Sequence, residues 1–184
     1  MVDARRINAR GFTIVELLIV IVVIALLAGV TVTAFGGVRQ NAEYAKLKAT
    51  ILTYEKAIKL QRTAEGRTLS AANWVCLGNQ EDYPANDDFT LGQCSNGTAP
   101  NYWSQQVRDA LKPYMSTVPN ASFPARANTY GGLNRGLVYD ELSGHVSPNG
   151  TIVYFVDADE ECPIGRWRGE LTADAKFCEY VVVY

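Results

Sequence analysis

An unbroken apolar run, Phe12 to Phe35, follows a leader of only eleven residues, and it constrains this chain more than anything else in it. The run reads FTIVELLIVIVVIALLAGVTVTAF and carries one charge, Glu16. As a helix it spans roughly 36 Å, enough to cross a hydrocarbon core of about 30 Å. A secretory signal peptide has an apolar region of about 7 to 15 residues followed by a small-residue cleavage site. Here the run is longer, and the small residue, Gly11, precedes it. Arg5, Arg6 and Arg10 place the N-terminus on the cytoplasmic side. The expectation is a single span over 12–35, with everything after it on the outer side.

The rest of the chain carries nearly all the charge and most of the Gly and Pro, as a water-exposed head does. The chain holds 17 basic and 19 acidic residues. Loss of the leader with Arg5, Arg6, Arg10 and Asp3 takes the net charge from −2 to −4. That acidic balance argues against nucleic acid as the default partner. All four cysteines, Cys76, Cys94, Cys162 and Cys178, fall in the head, on the side where disulfides persist. Four cysteines allow three connectivities. The expected one is sequence-local, Cys76–Cys94 and Cys162–Cys178, each closing a loop worth roughly 3 kcal/mol on the chain-entropy model. A zinc site would call for CxxC or Cys–His spacing, which the sequence lacks.

The helix is expected to outlast the membrane. Tyr44, Leu47, Ile51, Tyr54 and Ile58 recur at spacings of 3, 4, 3 and 4, one face of a helix, with Glu43, Lys46, Thr50, Thr53 and Lys59 elsewhere on the wheel. One helix from about Phe12 to about Glu65 follows, weakened at Gly36-Gly37 and stopped at Gly66. Residues 67–101 read as irregular. Residues 102–112 place Trp103, Val107, Ala110 and Leu111 at helical spacing before Pro113. Residues 116–135 read as loop. Leu137–Tyr139, Thr151–Val156 after the Pro148-Asn149-Gly150 turn, and Tyr180–Tyr184 read as strands. The fold class is therefore α+β: one long N-terminal helix, half in the membrane and half amphipathic, packed on a small antiparallel sheet. The expected segments are a leader at 1–11, a membrane or filament-core helix at 12–35, an amphipathic half at 36–66 and a disulfide-bonded head at 67–184.

The stretch Gly11-Phe12-Thr13-Ile14-Val15-Glu16-Leu17-Leu18, behind a short basic leader, closely resembles the cleavage and methylation motif of type IV prepilins. The resemblance is tight over about residues 5 to 35 and looser beyond. It implies cleavage between Gly11 and Phe12 by a prepilin peptidase, and N-methylation of Phe12. It also implies that Glu16 meets the new amine of a neighbouring subunit. An unpaired glutamate in a bilayer costs at least a few kcal/mol, so a partner is expected on physical grounds too. Where many members of the family carry a proline about 22 residues into the mature chain, this sequence has Thr33, with Gly29 and Gly36-Gly37 nearby.

The resemblance implies a structural subunit rather than an enzyme, and no cofactor. The leading expectation is a pilin of a type IV pilus-like filament serving adhesion, twitching motility or DNA uptake. Its partners are copies of itself, other pilins, the prepilin peptidase and an inner-membrane assembly platform. It begins as a single-pass cytoplasmic membrane protein and ends in a cell-surface filament. The alternatives are a pseudopilin of a type II secretion-like system and a membrane-tethered binding module that never polymerises. Asp157, Asp159, Glu160 and Glu161 suggest calcium, but an EF-hand starting at Asp157 would have Cys162 at position 6 and Arg168 at position 12. A solvated acidic loop is the preferred reading, with no metal site. Arg166-Trp167-Arg168 reads as a surface loop for subunit packing or adhesion, with nucleic-acid contact as the sharper alternative. His145 is the only histidine, and the sequence contains no P-loop, no Rossmann glycine pattern and no HExxH. Asn96, Asn120 and Asn149 head N-x-S/T triplets, and glycosylation stays open.

Overall fold

The computed structural model describes residues 12–66, 69, 74–128, 131–141, 150–171 and 174–184, with backbone alone at 30–36 and 169–171. The leader with Gly11, His145, and Pro148-Asn149 of the expected turn lie outside the described residues. The chain divides into two compact units, Met1–Glu43 and Tyr44–Tyr184.

Helix α1 runs from Ile14 to Glu65 and passes through Gly29, Thr33 and Gly36-Gly37 without a break. It stops at Gly66, whose φ of 63° is open to glycine and whose N–H donates to the Arg62 carbonyl at 2.8 Å. From Tyr44 onward one face of α1 is covered. Leu47, Ile51, Tyr54 and Ile58 are buried and Tyr44 is half-buried, as the 3-4 spacing requires. Thr50, read as lying off the apolar stripe, is buried with them, as are Ala57 and Gln61. The covered stripe is therefore wider than the apolar residues alone mark out.

The stripe packs on a five-stranded antiparallel sheet. Its strands are β1 (Val75–Cys76), β6 (Val138–Asp140), β7 (Gly150–Asp157), β9 (Ala175–Val182) and β8 (Arg166–Leu171), in the spatial order β1-β6-β7-β9-β8. Alternate residues point to opposite faces. Tyr139, Ile152, Tyr154, Cys178 and Val182 join the α1 stripe in one core. Val138, Val153 and Phe177 turn away and form a second core with Tyr83, Cys76 and Cys94. Both faces of the central strands are covered, which is why TIVYFV reads as a continuous apolar run rather than an alternating one. The short helix α2 (Gln105–Leu111) adds Val107 and Leu111 to the first core, and Ser104 caps its start by accepting from the Val107 N–H. Trp103 lies outside α2, in an isolated bridge with Cys76.

A second sheet differs from the loop expected at 67–101 and 116–135. It has four antiparallel strands in the order β3-β2-β5-β4: β2 (Gln93–Ser95), β3 (Asn101–Tyr102), β4 (Ser122–Ala127) and β5 (Leu133–Gly136). Its interior is polar. Gln93, Ser95, Asn134 and Arg135 are buried, and the Gln93 side chain donates to the Ser95 carbonyl while Arg135 Nε donates to the Gln93 carbonyl at 3.0 Å. β4 contains Pro124, which a sheet tolerates on an edge strand, and the register shifts between Ser122 and Arg126. Arg135 also holds the preceding loop. Its guanidinium lies over the Phe89 ring at 4.2 Å and donates to the Pro84 carbonyl at 2.8 Å.

At the other side of the head, the Tyr180 hydroxyl of β9 donates to Glu55 of α1 at 2.7 Å, and Lys59 pairs with the same carboxylate at 2.8 Å. Burial by itself would raise the Glu55 carboxyl; the bonds from Lys59 and Tyr180 outweigh it and hold the group below its ordinary range. Burial, with Glu55 as acceptor, pushes the Tyr180 phenol up to about 12.

Two expectations follow for the full chain in detergent. Ile51→Ala should cost about 2–5 kcal/mol in urea unfolding, while its exposed neighbour Leu52→Ala should cost less than about 1 kcal/mol; equal costs would contradict the packing described. Tyr180→Phe should raise the Glu55 titration midpoint, read by carboxyl NMR. A depressed carboxyl contributes stability that is lost as pH falls through its folded value, so this variant should also lose less stability on acidification.

Candidate functional site

Thr13 sits immediately before the first turn of α1, with Glu16 three residues on. The Thr13 N–H and its hydroxyl both donate to Glu16 Oε2 at 2.8 Å, and the Glu16 N–H donates back to Thr13 Oγ1 at 3.3 Å. This is a capping box, and it satisfies two of the amide donors that a helix start leaves open. The sequence reading gave Glu16 to a neighbouring amine and gave Thr13 no role, although Thr-x-x-Glu at a helix start carries this signal. Only one carboxylate oxygen is used: Oε1 accepts no bond among the described residues.

After Glu16 the helix is apolar on every side and uncovered. Ile14 is 84% exposed, and the described side chains of the run through Gly29 are all exposed. Among the described residues no helix is long and apolar enough to cross a membrane; the described side chains of this run end at Gly29.

In the head, Cys76–Cys94 and Cys162–Cys178 are disulfides. The first joins β1 of the five-stranded sheet to β2 of the four-stranded sheet, and the second joins the loop after β7 to β9. The acidic cluster does not converge. Asp157 pairs with Arg126 of β4 at 3.1 Å, and Glu160 accepts from the Asp157 N–H at 3.2 Å. Asp159 and Glu161 point to solvent. Among the described residues no three His, Cys, Asp or Glu side chains are grouped to hold a metal ion.

Arg166-Trp167-Arg168 corrects the loop reading: it opens strand β8, paired with β9. Arg166 and Arg168 both face the buried Glu179, at 2.7 and 3.4 Å. Their alternation on the strand puts them on one face and half-exposed Trp167 on the other. The arginines thus neutralise a buried carboxylate instead of forming a free basic patch. Of the triplet asparagines, Asn96 is engaged in the fold: its amide donates to the Asp88 carbonyl and its oxygen accepts from the Leu133 N–H. Asn120 accepts from Ser122, and Asn149 lies outside the described residues.

A capped apolar N-terminal helix continuing into a disulfide-bonded head of antiparallel sheets defines a pilin-like α+β protein. The comparison with protein families adds the particular: residues 6–32 match the prokaryotic N-terminal methylation motif, the leader signature of type IV prepilins. No curated protein and no solved structure matches the chain.

The cap has a measurable consequence. Thr13→Ala should weaken the helix start by about 1 kcal/mol, speeding amide exchange at Leu17 and Leu18 about fivefold in the micelle-bound chain. Unchanged exchange would remove the capping role.

Proposed function

We propose that this chain is the precursor of a structural subunit of a type IV pilus-like filament. A prepilin peptidase cuts between Gly11 and Phe12, and the new amine of Phe12 is methylated. Before assembly the segment 12–35 holds the protein in the cytoplasmic membrane with its head outside. In the filament the same segment forms the core, with the amphipathic half, 36–66, and the head, 67–184, around it. The filament serves adhesion, twitching motility or DNA uptake.

The observation that carries this reading is the methylation motif at residues 6–32, ending on an apolar helix whose described side chains are all uncovered. A helix that is apolar on all sides needs lipid or other helices around it. Assembly exchanges the first cover for the second. Glu16 supports the same exchange: with one oxygen held by Thr13 and the other open, it can accept the amine of a neighbouring chain and keep its cap. That pairing removes two charges from hydrocarbon and sets the axial register of adjacent helices.

Intact mass of the surface form should correspond to a chain starting at N-methyl-Phe12; a retained leader would end this reading. Glu16→Ala should leave the protein in the membrane and reduce sheared surface filaments by about tenfold or more, in cells without a wild-type copy. Normal filament yield from that variant would remove the charge-pairing mechanism.

A further inference from the structure

Resting on the filament reading, we propose a specific head-to-tail contact between copies of this chain. The exposed acidic loop Pro84–Leu91 of one subunit docks on the apolar surface around Lys56, formed by α1 from Leu52 to Thr63 and the Val183-Tyr184 end of the next.

The receiving surface is built from two elements. Along α1, Leu52, Lys56 and Leu60 follow each other at intervals of four and are all exposed, the leucines at 41% and 43%. Beside this stripe, Lys59, Arg62 and Thr63 line a cleft of about 340 Å³ with Val183 and Tyr184. Val183 is 58% exposed, and Arg62 lies over the Tyr184 ring at 3.8 Å. Lys59 is paired with Glu55 at 2.8 Å and Arg62 with Glu141 at 3.3 Å, so Lys56, which has no ion-pair partner among the described residues, is the cation this apolar surface offers to an incoming acid.

The loop has the complementary character. Asp87 and Asp88 are exposed, and their carboxylates have no ion-pair partner among the described residues. Leu91 beside them is 54% exposed. The loop is nonetheless held in shape. The Asn86 side chain accepts from the N–H groups of Asp88 and Phe89, Asn96 donates to the Asp88 carbonyl at 2.8 Å, and Arg135 holds Pro84 and Phe89. A preformed loop docks without a large ordering cost.

The two surfaces are built from different elements of the head. The loop starts beside the end of β5: Tyr83 packs so closely on Gly136 that a Cβ there would lie 2.6 Å from its ring. The Val183-Tyr184 end lies past the C-terminal end of β6, where Asp140 pairs with Thr151 and Gly150 pairs with Val182. A contact between two different surfaces, repeated with a rotation that does not close into a ring, propagates a helical filament. The occupant is thus a second copy of this chain. Charge selects it, and the leucines and Val183 supply the apolar contact.

The test uses charge exchange in the full-length chain, in cells without a wild-type copy, read as sheared filament yield. Lys56→Glu and Asp87→Lys with Asp88→Lys should each reduce filaments about tenfold or more through like-charge contact, and combining them should restore most of the yield. A second arm places cysteines at Lys59 and Asp88: oxidised filaments of this double variant should give disulfide-linked multimers that neither single variant gives. Wild-type filaments with no rescue and no cross-link would overturn this contact and leave the filament reading standing. Absence of wild-type filaments would overturn both.

Discussion

The stripe Leu47, Ile51, Tyr54 and Ile58 is the interaction on which the rest of the head depends. It makes the second half of a long helix, whose first half is uncovered, the backing of the folded head. Leucine, isoleucine and tyrosine at 3-4 spacing make this the broadest apolar face of this half of the helix, and the five-stranded sheet lies against it. The second face of that sheet then needs its own cover. Tyr83 and the Cys76–Cys94 pair provide it, and the same disulfide carries the four-stranded sheet. Removing the stripe would uncover both layers.

Elements whose stability comes from apolar burial were legible in the sequence. The α1 stripe, Gly66 as its stop, and β7 as TIVYFV all follow from period and residue type. The four-stranded sheet was not, because its strands are short and its interior is Gln93, Ser95, Asn134 and Arg135, held by hydrogen bonds that no hydrophobic pattern reports. β4 also contains Pro124, and its edge position makes the missing N–H harmless. Arg166-Trp167-Arg168 misled in the opposite way. Two arginines around a tryptophan look like a binding loop until Glu179 appears across the strand pair, thirteen residues away in sequence. Of the candidate site, Glu16 stands out in the sequence as a lone charge in the apolar run, while Thr13, uncharged and common in such runs, shows its capping role only through its hydrogen bonds.

The Thr13–Glu16 cap changes how the lone carboxylate is understood. A glutamate in this setting faces a large penalty for leaving water, and a bond from a backbone N–H and a hydroxyl already lowers it. If the segment passes from lipid into a filament core as proposed, this arrangement keeps the helix start folded in both and leaves Oε1, which accepts no bond among the described residues, for a cation.

The central claim is that the uncovered apolar helix is buried among its own copies. Cryo-electron microscopy of sheared surface filaments tests it most directly. The account predicts a core of packed N-terminal helices of this chain, each Glu16 adjacent to the Phe12 amine of a neighbour, with the disulfide-bonded heads outside. Finding the processed chain only as single copies in the membrane fraction, with surface filaments built from other proteins, would contradict it.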